Sequence, residues 1–257
     1  MADTLNAELA SGQIINFMLI LLRVSVLVSM LPVFSGSQLP VQFKIGLVVF
    51  IALILTPVVN FQISENQIPL IIVKEILIGM ALGYAARFVF NAVNMAGVFI
   101  SFAVGMSMGR VFNPEMGSTT HLAEILGSMV MLMFLALDAH HDLIYVVVQS
   151  FKILPAGSIN VLPLVPEMIS IGAGLFVLSI KLAAPVMLGI FLAQVLTGFL
   201  YKAAPQMNIF FITMPLNIFL GFSIIIISLP VMENVIGINF SNMREDLIRL
   251  MMMAKVS

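Results

Sequence analysis

Six ionisable residues, Arg23, Lys74, Glu75, Arg87, Glu124 and Lys181, stand inside apolar runs of this chain. At the centre of a bilayer each would be unfavourable by about 2.5 to 3.5 kcal/mol or more, so each needs a counter-charge, an aqueous lining or an interface to snorkel to. Lys74 and Lys181 suit snorkelling best. On one continuous helix Glu75 and Arg87 would lie about 18 Å apart along the axis and about 120° apart around it, so they cannot pair with each other. Their partners must come from another segment, another subunit or water. A second cluster, Asp138, His140, His141 and Asp142, has metal-ligand residue types. Adjacent histidines point in different directions on a helix, however, and no second cluster supplies further ligands, so the reading is a solvated turn and no metal site. His121 with Ser118, Thr119 and Glu124 lacks a convincing nucleophile and orienting group. Phosphate-cradling, dinucleotide and zincin motifs are missing from the sequence. The residues therefore predict a protein that is not an enzyme and needs no cofactor.

One polar stretch, 105–123 (GMSMGRVFNPEMGSTTHLA), interrupts the apolar sequence near its middle. Gly105, Met106, Met108, Gly109, Arg110, Asn113, Pro114, Met116 and Gly117 give it flexible, polarizable filler side chains, a movable backbone and a few polar groups. Such a segment neither spans lipid nor makes an ordinary tight turn. On the residues alone it reads first as a static connector, and second as a segment able to seal an irregular hole.

The elements that must position these residues are membrane-type helices. Of 257 residues, 61% are hydrophobic and only 9% charged, whereas a soluble globule carries about a quarter charged. A formal net charge of -1 supplies no basic field for nucleic acid, and the lack of cysteine excludes disulfides and thiolate sites. Asp3 and Glu8 precede the first apolar run where a signal peptide would be basic, so that run is expected to be an uncleaved membrane helix. The chain has no Trp and only Tyr84, Tyr145 and Tyr201, a thin aromatic belt that favours helices facing other protein.

Runs at 13–34 and 41–59 are each long enough to cross a bilayer. The run 70–108 would be about 55 to 60 Å long as one helix, so it has to bend near Asn91 to Gly97 or stand out of the membrane. Gly83, Arg87, Asn91, Asn94, Ser101 and Gly105 share a polar and small stripe along it. Gly79 and Gly83, with Gly105 and Gly109, have the spacing that lets helix backbones approach, within the chain or between subunits. The runs at 122–137 and 143–154 are short for spans. Long runs follow at 168–200, where Pro185 removes the amide that would bond the Lys181 carbonyl, and at 208–232. From Asn239 onward Met243, Leu247, Leu250, Met251 and Ala254 share one face behind a candidate Ser241 cap. The expected architecture is all-α: an integral membrane-type helical protein of six to eight helical segments. It divides into one domain, 1–237, and a short amphipathic tail, 238–257.

Whole-chain likeness adds a family. Arg23 to Gly46 (RVSVLVSMLPVFSGSQLPVQFKIG), the IGMALGYAARFVFNAVNMAG and GMSMGRVFNP portions of 76–114, and Ala203 to Gly221 (AAPQMNIFFITMPLNIFLG) resemble the FliR family of flagellar type III export-gate proteins. The T-type subunits of injectisomes are more distant relatives. The resemblance implies a fused P-type plus Q-type subunit that assembles with FliP-type and FliQ-type partners and an FlhB-type switch protein. The assembly would lie in the inner membrane, projecting in part on the periplasmic side, and pass unfolded secreted flagellar proteins. It implies that 105–123 plugs the closed pore, and that Arg23, Glu75, Gly79, Gly83, Arg87, Glu124 and Lys181 serve buried-charge pairing and subunit packing. Ala103 and Asn113 depart from the Gln and Asp frequently found there. The alternative reading, a secondary transporter of a small solute, would call for two related halves, which the sequence does not show.

Overall fold

The computed structural model describes residues 2–35, 39–59, 68–106, 121–157, 159–203 and 209–255. Among these are nine helices: α1 (Ala2–Met30), α2 (Pro32–Ser35), α3 (Val41–Leu55), α4 (Ile68–Ala86), α5 (Phe88–Val104), α6 (His121–Ala136), α7 (Ala139–Ile153), α8 (Leu164–Ala203) and α9 (Ile209–Met253). With α2 a single turn, eight longer helices remain, and the all-α membrane architecture expected from composition holds. Four helical stretches are long and apolar enough to cross a membrane: Gly12–Met30, Ile68–Ala86, Leu164–Leu200 and Phe211–Met253.

Prolines set several of the boundaries. Pro32 follows α1, Pro57 follows α3 and Pro155 follows α7. Helical geometry is disfavoured for the residue before a proline, and Leu154 leaves it with φ −123°, whereas Thr56 before Pro57 keeps it at φ −52° and ψ −45°. Pro40 opens α3 from an extended conformation. Inside α8 and α9 the prolines at 185, 215 and 230 are tolerated without ending the helix.

The chain separates into two compact units. The first comprises 1–88, 138–171 and 241–257. Its core gathers Leu19, Ile20, Val24 and Leu27 of α1, Ile78 and Leu82 of α4, Val146 of α7, and Leu247, Leu250 and Met251 of α9, all nearly inaccessible. The second comprises 89–137 and 172–240, centred on a triangle of aromatic rings, Phe90, Phe134 and Phe240, with centroids 5.2 to 5.6 Å apart. In that unit a Cβ at Gly97 would come within 2.6 Å of the Ala123 Cα, so α5 and α6 meet backbone to backbone.

Three expectations change. The run 41–59, read as long enough to cross a bilayer, forms only the 15-residue helix α3, Val41–Leu55, which is shorter than the four spans. The long run after Pro69 breaks at Arg87, not at Asn91 to Gly97, and 91–97 lie within α5. The break falls where the Arg87 guanidinium reaches the carbonyl of Met30, the last residue of α1, through a long 3.5 Å contact. A helix C-terminus exposes carbonyls that have no partner of their own, which gives that side chain an acceptor to turn toward. Ser241, read as a cap, lies inside α9, which passes through 237 and 238 without interruption. The face formed by Met243, Leu247, Leu250, Met251 and Ala254 is buried. Just beyond it, Ile159 and Lys255 form an antiparallel bridge, and Asn160 N–H donates to the Ala254 carbonyl at 2.9 Å.

Candidate functional site

Arg23 sits two turns before the end of α1, Glu75 in α4, and Ser150 and Phe151 in the last turn of α7. The fold brings them together in the first unit. Arg23 is 1% exposed and Glu75 is fully buried. Arg23 Nε donates to Glu75 Oε2 at 2.6 Å and Nη2 to Oε1 at 2.9 Å, the two-pronged geometry that a planar guanidinium and a carboxylate share.

The remaining donors go to the end of α7. Nη1 donates to the Ser150 carbonyl at 2.8 Å and, at 3.4 Å, to Ser150 Oγ, while Nη2 donates to the Leu154 carbonyl at 2.9 Å. All five N–H groups of the guanidinium thus find an acceptor. The Phe151 ring lies 4.4 Å from the guanidinium carbon and closes one face. Pro155 has no amide and stops α7, so the Leu154 carbonyl gains no helical partner and is open to Arg23. The Ser150 carbonyl already accepts the Leu154 N–H at 3.0 Å and takes the guanidinium on its second lone pair. That helix end carries a partial negative charge of about half an elementary unit, which adds to the Glu75 carboxylate in balancing Arg23.

Small residues let the elements close on this centre. A Cβ at Gly79 would stand 3.0 Å from the Arg23 carbonyl oxygen and one at Gly83 2.8 Å from the Met30 Cβ, so both glycines seat α1 directly on α4. Next to Glu75, Lys74 extends to the Gly157 carbonyl at 3.4 Å and ties down the loop after α7, where Gly157 holds φ at +91°.

The other charges lie elsewhere. Arg87 is half-buried, and its Nε has no hydrogen-bond partner among the described residues. Glu124 and Lys181 are exposed on the chain, Glu124 beside His121 at 3.5 Å. Gly105 and Met106 follow α5, Gly105 at φ +89° with open space around it. Met108, Gly109, Arg110, Asn113, Pro114, Met116 and Gly117 lie outside the described residues. The rings of His140 and His141 do not diverge as expected; their centroids are 4.1 Å apart. Sequence reasoning missed the role of Ser150 and Leu154, which act through main-chain carbonyls; Pro155 after an amphipathic run was the only local signal.

From residue 14 to residue 243 the chain matches the model of the bacterial export proteins, family 1. The chain belongs to this family. Its relatives include proteins named flagellar biosynthetic protein FliR. That of Bacillus subtilis is 27% identical over 94% of this chain and 96% of its own length. The Caulobacter vibrioides protein is 28% identical over 88% and 92%, and the Escherichia coli protein 30% identical over 82% of each. The FliR likeness read from the sequence is therefore correct. Arg23, Glu75, Ser150, Phe151 and Leu154 all fall inside the span matched by the export-protein family.

Proposed function

We propose that this chain is a structural and gating subunit of the flagellar type III protein export channel in the bacterial inner membrane. The observation that carries the reading is the family match from residue 14 to residue 243, joined to relatives named for flagellar biosynthesis. The chain serves as scaffold through its clamped first unit and as closure through 105–123. It assembles with P-type and Q-type subunits, with an FlhB-type protein at the base, around a path for unfolded flagellar proteins.

Two physical features support the scaffold half. Arg23 and Glu75 are neutralised inside the chain, so the first unit needs no neighbour to stabilise its deepest charges. Both units present apolar surface. In the second, Leu132, Phe199, Phe219 and Ile227 are each two-thirds or more exposed, and in the first a cleft of about 690 Å³ is walled by Met30, Leu77, Met80, Tyr84, Val161 and Leu162. Surface of this kind requires lipid or other subunits against it. The closure half rests on the composition of 105–123 and on the resemblance. Deleting Met106 to Gly117 is expected to make the inner membrane leaky to ions and small solutes. Unchanged conductance in an assembled complex carrying the deletion would refute the plug.

A further inference from the structure

The turn between α6 and α7 brings three metal-ligating side chains together. Asp138 adopts a left-handed backbone conformation, φ 55°, immediately before α7. Its carboxylate thereby lies beside the first helical turn, and His141 Nδ1 stands 3.4 Å from Asp138 Oδ1. One ligand atom from each of Asp138, His140 and His141 falls within 4.8 Å of the others. The two imidazoles lie side by side with an interplanar angle of 36°. We propose that Asp138, His140 and His141 form a binding site for a divalent cation of the zinc class.

The distances fit that ion. Zinc bonds to imidazole nitrogen and carboxylate oxygen are about 2.0 to 2.2 Å, which places neighbouring ligands of a tetrahedron about 3.4 Å apart. The Asp138 to His141 separation already has this value, and a ligand nitrogen of His140 lies within 4.8 Å of both. Borderline imidazole nitrogens select Zn²⁺, Ni²⁺ or Cu²⁺ over Mg²⁺ or Ca²⁺, which prefer oxygen cages. Solvent has access, since Asp138 and His141 are exposed while His140 is half-buried and so more firmly held. Asp142 is not a ligand: it faces Arg244 at 3.7 Å, and the Arg244 guanidinium stacks on Tyr145 at 4.0 Å. The positive end of the α7 dipole opposes a bare cation, and the Asp138 and Asp142 carboxylates offset it. A bound ion would fix the start of the helix whose other end Arg23 holds.

The chain is suited to a clean test, having three histidines and no cysteine. Zn²⁺ is titrated calorimetrically into the full-length protein, purified in detergent without a polyhistidine tag. The expected result is one equivalent bound per chain, weakened about tenfold or more by His140→Gln and by His141→Gln, unchanged by His121→Gln, and not displaced by millimolar-order Mg²⁺. Unchanged circular dichroism and elution volume confirm that the variants fold. No binding by the native protein, binding that survives both substitutions, or equal loss in His121→Gln would overturn the site.

Discussion

A guanidinium without its carboxylate, or a carboxylate without its guanidinium, is far worse in the interior of this protein than neither. Replacing Arg23 by Leu, or Glu75 by Leu, leaves the other charge buried and unpaired, a loss of about 3 to 5 kcal/mol. The double variant Arg23→Leu/Glu75→Leu removes both charges and is expected to recover most of that loss, read as the midpoint of detergent-induced unfolding of the purified protein. A double variant no better than either single would mean that the two charges do not act as a unit. Arg23→Lys keeps the charge but loses the two-pronged contact and the bonds to α7, so it should fall between the native protein and Arg23→Leu. The sequence marked both residues as charges in need of partners, and spacing correctly excluded Glu75 with Arg87. It could not pair Arg23 with Glu75, because they are 52 positions apart and the two shorter bonds to α7 go to the Ser150 and Leu154 main-chain carbonyls, which leave no trace in residue type.

The last turns of α9 show what periodicity can and cannot tell. Five apolar residues at helical spacing identified the face correctly, and all five are buried. Where the end of the helix docks was not legible, since Asn160 N–H bonds the Ala254 carbonyl just past it and Tyr145 of α7 stacks on Arg244, and neither partner is encoded locally. Leu250 is 1% exposed and Met252, two residues on, is 62% exposed. Leu250→Asp should therefore destabilise the protein by about 3 kcal/mol or more, by burying an unpaired carboxylate, whereas Met252→Asp should change unfolding by less than about 0.5 kcal/mol. Equal effects would show that the end of α9 is not packed as described. The break at Arg87 has the same lesson. The run from Gly79 to Val98 contains no proline, and the interruption arises where a side chain of one helix meets the open end of another.

At the scale of the molecule, composition alone established an all-α membrane protein, and the blocks at 23–46, 76–114 and 203–221 established the family. The division into two units was hidden, because both are assembled from segments far apart in sequence, and α8 and α9 each contribute to both. Two glycines and a clamp of five hydrogen bonds hold α1, α4 and the end of α7 together within the first unit, while the apolar exterior calls for neighbours. In the channel proposed above, the stretch at 105–123 would act only in company. Co-purification from detergent tests this most directly. With the chain expressed in its native membrane and isolated through a tag on it alone, the account predicts recovery together with several copies of two small apolar partner proteins. Recovery of a monomer that transports a small solute in liposomes would contradict it.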